Sequence, residues 1–244
     1  MKKINIRPTP KSKNPNSTIK NQKSNQWLKD IVFIGVTVFL IRACVVEAYR
    51  VPTGSMENTI LIGDQLFGCK FLYGIKIPFT NTRILEFHKP QPKEIVIFKA
   101  PYERRKLVKR CIATEGNIVE IKNKKVYVNN ILLDEPYVKH IDPTTYESLP
   151  LENSQYQKIW EKTGFMRCGG EIRDNFGPVK IPKDCIFVMG DNRDDSFDSR
   201  FWGPLNKCYL LGKTLIIHFS WNPDPPLYKI WEKIRWNRMG RILW

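Results

Sequence analysis

The sequence has none of the closely spaced cysteines or histidines that most metal sites require. No two of its six cysteines form a Cys-x-x-Cys pair, so a zinc site is not expected. Five cysteines lie outside the apolar segment near the N-terminus, and they are predicted to be free buried thiols: Cys69, Cys111, Cys168, Cys185 and Cys208. No metal and no organic cofactor is predicted.

Histidine is also scarce, with three residues scattered along the chain: His88, His140 and His218. Because a Ser-His-Asp triad assembles in space from any sequence spacing, these histidines stay as rival candidates for a catalytic base.

Basic residues are concentrated at the two ends, and the body has little excess charge. Residues 1–29 hold eight basic residues and no acidic one, and residues 227–244 hold five basic residues and one acidic. The ends therefore carry +8 and +4 of the formal net charge of +16. A body with so little basic excess does not predict nucleic-acid binding.

An apolar run over residues 31–46 follows the basic leader and is interrupted by Arg42. The run is short for a bilayer, which takes about 20 apolar residues as a helix, although an arginine near a helix end can reach the headgroups. A buried core helix and a cleavable signal peptide are the alternatives. We predict a retained anchor over residues 27–48, with residues 1–26 as a disordered cytoplasmic tail and the body outside.

Short apolar or alternating segments between turns dominate the body and predict a mainly β, antiparallel domain over residues 49–226. The predicted strands are 94–98, 107–112, 118–122, 125–129, 184–189 and 213–219. Residues 136–177 are polar and irregular, which predicts a surface excursion. Residues 227–244 place apolar side chains at helical spacing opposite basic ones, which fits either a membrane-interfacial helix or an amphipathic helix packed on the domain.

Two stretches stand out chemically. Residues 51–60, Val-Pro-Thr-Gly-Ser-Met-Glu-Asn-Thr-Ile, follow the apolar run almost at once. Residues 190–200, Gly-Asp-Asn-Arg-Asp-Asp-Ser-Phe-Asp-Ser-Arg, hold four aspartates. Taken separately, the first reads as a loop and the second as a solvated acidic loop or a weak cation site.

Taken together and in order with Lys109-Arg110 inside a strand, they resemble type I signal peptidase from the basic tail to about residue 220. The resemblance implies an antiparallel β catalytic domain of a serine endopeptidase on the outer face of a bacterial-type plasma membrane, held by a single span. The resemblance also implies that the substrate is a preprotein still held in the bilayer by its signal peptide, and that cleavage follows small side chains.

The family's catalytic roles carry over to four residues. Ser55 matches the nucleophile and Lys109 the general base. The Thr53 hydroxyl and the Ser55 backbone N–H match the oxyanion donors, and Ser196 matches a serine that orients the lysine. Burial suits this chemistry, because it lowers the pKa of a lysine that is otherwise charged at neutral pH.

Further residues match supporting roles in the same family. Asp198 and Arg200 match a structural ion pair, and Asp191 matches a supporting carboxylate. The candidate walls of the substrate pocket are Val51, Pro52, Met56, Ile60, Leu107, Val108 and Met189. Asn58 departs from the pattern, since the family usually has proline there, and this predicts an altered turn after Ser55.

Two other functions are compatible with parts of the pattern. A self-cleaving Ser–Lys regulator would use the same dyad, but it would carry a helix-turn-helix module, and the sequence shows no such pattern. A membrane-tethered β module that binds a partner or anionic lipid would not need Ser55 at all.

Overall fold

The computed structural model describes residues 26–38, 46–76, 83–84, 86–226 and 228–243. Two compact units divide the chain, Met1–Ala43 and Cys44–Trp244. In the first unit, residues 26–38 form a helix, α1, with exposed apolar side chains. No helix among these described residues is long and apolar enough to cross a membrane. Residues 39–45, which also belong to the predicted anchor, lie outside the described ranges.

The second unit is built mainly from short β-strands. Those of its first half are β1 (Val46–Arg50), β2 (Asp64–Cys69), β3 (Ile75–Lys76), β4 (Arg83–Ile84), β5 (Ile95–Lys99), β6 (Lys106–Thr114) and β7 (Ile118–Lys122). The remainder are β8 (Lys125–Val128), β9 (Ile131–Leu132), β10 (Phe176–Lys180), β11 (Cys185–Met189), β12 (Leu205–Asn206) and β13 (Leu210–Ser220). Its helices are α2 (Asn153–Lys162), α3 (Ser199–Trp202) and α4 (Ile230–Lys233). Because β1 begins at Val46, the predicted anchor boundary at residue 48 runs three residues into the sheet.

Antiparallel pairing joins these strands into sheets. Seven strands form one sheet in the order β1-β2-β13-β5-β6-β11-β12, and four form another in the order β10-β7-β8-β9. The small β3–β4 pair stands apart. The prediction of a mainly β, antiparallel domain is therefore confirmed.

Strand β5 shows why a short apolar run folds in this way. Successive side chains of a strand point to opposite faces. Val96 and Phe98 therefore pack on one side with Trp202, while Ile95 packs on the other side in the cluster that contains Met56. Both faces of β5 are buried, so the run is continuously apolar rather than alternating.

The segment 136–177 differs from the predicted surface excursion. Within α2, Tyr156 and Trp160 lie four residues apart on one helix face and are buried in the core with Phe165 and Phe176. Trp160 Nε1 donates a hydrogen bond to the Ser199 carbonyl at 2.7 Å. The polar residues of α2 itself lie on its exposed face, and they mask the two buried aromatic residues in the sequence pattern.

The C-terminal segment does not form the long amphipathic helix that its spacing predicts. The described part of it contains the four-residue helix α4, and isolated bridges pair Ile234 with Trp221 and Ile242 with Ile216. Leu243 is buried in the core beside Met56. These pairings hold the segment against the domain in an extended form, although Trp231 stays 78% exposed.

Within the described residues, Cys69, Cys111, Cys168 and Cys185 are free thiols, as predicted. Cys69, Cys111 and Cys185 are buried, whereas Cys168 and Cys208 are half-buried.

Candidate active site

The loop between β1 and β2 presents Ser55. Its base is closed by the Val51 N–H, which donates to the Asp64 carbonyl at 3.0 Å, and by the Gly63 N–H, which donates to the Val51 carbonyl at 3.2 Å. The Asn192 backbone N–H donates to the Ser55 carbonyl at 3.1 Å. The loop is thus tied to the 190–200 stretch, 135 or more residues later, and the two stretches that stood out in the sequence meet here.

Strand β6 carries Lys109 into the interior. Its side chain is almost fully buried, with the residue 2% exposed, and Nζ donates to Ser196 Oγ at 2.8 Å. Ser196 Oγ in turn donates to Asp198 Oδ2 at 2.7 Å and accepts from the Gly190 N–H at 3.1 Å. Ser196 therefore stands between the lysine and the nearest carboxylate.

Burial lowers the pKa of Lys109 to about 8. Desolvation penalises the charged ammonium, and this effect outweighs the opposing attraction of Asp198. At pH 7 about a tenth of the lysine side chains are then neutral and able to accept a proton.

Arg200 prevents Asp198 from restoring the charge on the lysine. Burial alone would raise the pKa of the Asp198 carboxyl, but the Arg200 guanidinium reverses this and holds that pKa below its usual range. Arg200 Nε and Nη2 donate to the two carboxylate oxygens, each at 2.8 Å. The same guanidinium charge also lowers the pKa of Lys109 directly. The ion pair thus fixes Ser196 while leaving little net charge beside Lys109.

A second buried ion pair supports the strand next to the lysine. Arg110 donates from Nε and Nη2 to the Asp191 carboxylate at 2.8 and 2.7 Å, and its guanidinium lies 3.8 Å from the Tyr137 ring centroid. Asp191 is thereby joined to β6 on the side of the strand away from Lys109, as the alternation of a strand requires.

Ser55 and Lys109 line one cavity of about 830 Å³. Within the described residues, the Ser55 hydroxyl has no hydrogen bond to Lys109 Nζ. Its side-chain contact is with Thr53 Oγ1 at 3.4 Å. Catalytic hydrogen bonds are often long before substrate arrives, and the two groups face the same space.

Five of the seven predicted pocket residues line a much smaller recess beside Ser55: Val51, Pro52, Met56, Leu107 and Val108. Ile60 and Met189 do not lie there. Ile60 is fully buried beneath the loop with Leu66, and Met189 is packed in the core with Phe187, so both are corrected to core residues.

Comparison of the sequence with known proteins identifies a family. The family described as "Signal peptidase, peptidase S26" matches residues 24–219. The chain belongs to this signal peptidase family. Its members are serine endopeptidases that act on preprotein signal peptides at the membrane.

Several relatives that carry the name signal peptidase I are similar to this chain over most of their length. The chain is 33% identical to "Signal peptidase I" of Buchnera aphidicola subsp. Schizaphis graminum, with 84% of this chain and 77% of the relative covered. It is 32% identical to "Signal peptidase I" of Pseudomonas aeruginosa, with 78% and 70% covered. "Signal peptidase I P" of Bacillus subtilis subsp. natto is 30% identical, with 82% and 92% covered.

None of the three histidines of this signal peptidase family member lines the cavity that holds Ser55, although His140 contacts Asp194, which does. His88 contacts Glu94 at 2.7 Å, His140 contacts Asp194 at 3.4 Å, and His218 stacks on Phe67. None of the three is among the residues that line the described cavity. A histidine base for Ser55 therefore has no geometric support.

Asn58, where the signal peptidase family usually has proline, adopts a φ of 93°. The proline ring fixes φ near −65° and cannot reach this conformation. The Asn58 side chain donates to the Tyr137 carbonyl at 3.0 Å, which ties the turn to a neighbouring segment. The turn after Ser55 therefore differs from one that proline could form.

Three aromatic residues that line the Ser55 cavity were not predicted from the sequence. Tyr102, Phe197 and Phe201 line it together. Phe197 lies between two predicted site residues, Ser196 and Asp198, and this position was a signal that it belongs to the site. Its contact with Tyr102, however, arises only from the fold. The support that Arg110 gives to Asp191 is equally a product of tertiary packing.

Proposed function

We propose that this signal peptidase family member removes signal peptides from preproteins with Ser55 as the nucleophile and Lys109 as the general base. The observation that supports the assignment best is the buried Lys109, whose Nζ is held by Ser196 in the cavity that also exposes Ser55. A neutral amine in this position can take the serine proton, which a charged one could not.

The proposed reaction proceeds in two halves. Neutral Lys109 takes the proton from Ser55 Oγ as this oxygen attacks the scissile carbonyl carbon. The charged lysine then gives that proton to the departing amide nitrogen, and the C–N bond breaks to leave an acyl ester on Ser55. In the second half, Lys109 takes a proton from a water molecule as its oxygen attacks the ester carbon. The bond from this carbon to Ser55 Oγ then breaks, the lysine returns the proton to Ser55 Oγ, and the acyl part leaves as a carboxylic acid.

The small recess fits the side chain that precedes the cleaved bond. Its apolar walls, Val51, Met56 and Val108, enclose only about 20 Å³, so a methyl-sized side chain is the expected occupant. This supports cleavage after small residues, as the family resemblance implies.

Cleavage is expected to rise with pH through the pKa of Lys109, about 8. Below this pH the lysine is protonated and cannot act as a base, and above it the lysine is neutral and active. The measurement is kcat/KM on a preprotein from pH 6 to 10, which reports the pKa of the free enzyme. A profile that is flat over pH 7–9 would remove Lys109 as the base.

Thr53→Val is expected to lower kcat by about 10²–10³, because the transition state loses one oxyanion donor. Thr53 Oγ1 already lies 3.4 Å from the attacking oxygen. Thr53→Ser keeps the hydroxyl and should stay close to wild type. Steady-state kinetics and a melting curve for each variant are the measurements. An unchanged kcat in well-folded Thr53→Val would contradict the oxyanion role.

We also propose that residues 27–45 anchor the protein in the plasma membrane, with the tail in the cytoplasm and the body on the outer face. Seven apolar side chains of α1 are at least 50% exposed: Trp27, Leu28, Val32, Phe33, Ile34, Val36 and Val38. Exposed apolar surface of this extent favours contact with lipid. The eight basic residues of the leader favour a cytoplasmic N-terminus.

Protease added outside spheroplasts is expected to digest the body and to spare residues 1–29. The readout is an immunoblot with one epitope at each end of the chain. Recovery of the full-length chain in the soluble fraction after alkaline carbonate washing would contradict an anchor.

A further inference from the structure

Two recesses of very different size meet at Ser55. The small one holds Val51, Met56 and Val108, and it encloses about 20 Å³. The large one encloses about 830 Å³ and holds Lys109 and Ser196. Both include Ser55 and Thr53, so the two recesses adjoin at Ser55.

The position of Lys109 indicates which recess takes the released chain. The base that removes the serine proton must deliver it to the departing amide nitrogen, so it lies on the leaving-group side of the bond. Lys109 lines the large recess and not the small one. The large recess therefore lies toward the residue that follows the cut.

An aromatic wall, defined as Tyr102, Phe197 and Phe201, forms one side of the large recess. The ring centroids of Tyr102 and Phe197 are 5.2 Å apart in an edge-to-face arrangement, and those of Phe197 and Phe201 are also 5.2 Å apart. Aromatic contacts at this spacing are favourable and hold the rings in place.

The wall is held rigidly but remains open to the recess. The Phe197 carbonyl accepts a hydrogen bond from Trp202 Nε1 at 3.3 Å, yet the Phe197 residue is 37% exposed. It immediately follows Ser196, which holds Lys109. A large exposed apolar ring thus lies next in sequence to Ser196, which joins Lys109 to Asp198 by hydrogen bonds.

Charge gives the large recess little selectivity. Its lining holds three acidic residues, Glu103, Asp194 and Asp195, and two basic ones besides Lys109, Arg105 and Lys106. Two of the acidic residues are already paired, since Arg105 Nε contacts Glu103 Oε2 at 3.2 Å and Lys124 Nζ contacts Asp194 Oδ1 at 3.2 Å. Because most of the charge is neutralised by these pairs, discrimination between side chains falls to the aromatic wall.

We propose that the aromatic wall binds the side chain of the first residue after the cleaved bond and favours an aromatic or large apolar residue there. This inference rests on the proposed roles of Ser55 and Lys109, which set the direction of the bound chain. It assigns Tyr102, Phe197 and Phe201 to substrate selection rather than to chemistry.

The test uses the full-length protein in detergent and two peptides that differ only in the residue after the cut, phenylalanine or serine. Wild type is expected to cleave the phenylalanine peptide with a kcat/KM about tenfold higher. In Phe197→Ala and in Tyr102→Ala this ratio should fall to about twofold or less. The two substitutions should not be additive, because the rings form one contact surface.

Phe87→Ala is the matched control. Phe87 is an exposed ring stacked on Phe71, with centroids 4.2 Å apart, and it does not line the Ser55 cavity. The control should retain the tenfold ratio. Tyr102 lies on a separate loop from Ser196, so its variant reports on the wall even where Phe197→Ala disturbs the lysine contact.

The outcomes separate this inference from the function on which it rests. Equal kcat/KM of wild type for the two peptides, or a tenfold ratio that persists in both wall variants, would overturn the aromatic subsite alone. Failure of wild type to cleave either peptide would overturn the proposed function and the subsite together.

Discussion

Lys109→Ala is expected to lower preprotein cleavage by roughly 10⁴-fold or more, because groups that act as a unit lose nearly all activity when either is removed. Lys109 is a buried amine that lines the same cavity as Ser55, and Ser196 and Asp198 hold it through consecutive hydrogen bonds. Without it, Ser55 keeps its hydroxyl but has no group to accept the proton. The measurement is single-turnover cleavage of a purified preprotein.

Lys109→Met separates loss of the base from loss of packing. Alanine leaves a void in the buried site, whereas methionine fills a similar volume and has no proton acceptor, so both should be inactive while methionine preserves the melting temperature better. Lys122→Ala, which alters a lysine 61% exposed at the end of β7, should remain fully active. Robust turnover by folded Lys109→Met would reject the Ser55–Lys109 mechanism and return attention to the histidines.

Gly190→Ala is expected to reduce kcat by roughly 10²–10³, which is the range for disrupting one catalytic contact. A Cβ at residue 190 would overlap Ser196 Oγ and the Ser55 carbonyl oxygen. Both belong to the site, and both are held by hydrogen bonds, so one of them must move. Lys109 then loses its partner, or the nucleophile loop shifts.

Gly35→Ala provides the control for this substitution. A Cβ there would meet nothing within 4 Å, and residue 35 lies inside α1, where the backbone conformation suits alanine. Kinetics and melting curves should show Gly190→Ala folded but nearly inactive, and Gly35→Ala as active as wild type. Wild-type turnover by Gly190→Ala would show that the contact between Ser196 and Lys109 tolerates displacement.

Local pattern was enough to predict six of the strands, because each of these is a largely apolar or alternating run bounded by turns, whereas β1, β2, β10 and the two-residue strands were not predicted. Strands β5, β7 and β11 all lie within a residue or two of the predicted ranges. The helix α2 was missed although Tyr156 and Trp160 have helical spacing, because the surrounding residues are polar. The extended C-terminal segment was missed for the opposite reason, since its helical spacing is overridden by pairing with β13 and its neighbour Trp221.

Some residues of the candidate site could be predicted from the sequence, and others could not. The family resemblance selected Lys109 from the many lysines of the chain, and residue type alone could not have done so. Ile60 and Met189 were assigned to the pocket because apolar residues near a catalytic serine can be either wall or core, and only their packing distinguishes the two. Tyr102 and Phe197 are 95 positions apart, so no local pattern could have joined them.

The strand order has a consequence for how the two parts of the candidate site are held together. Ser55 follows β1, and Lys109 lies in β6, but β13 stands between β2 and β5 in the sheet. The segment that presents Ser55 is therefore joined to the strand that carries Lys109 through a strand that begins at Leu210. A substitution that weakens the pairing of β13 should separate Ser55 from Lys109 without altering either residue.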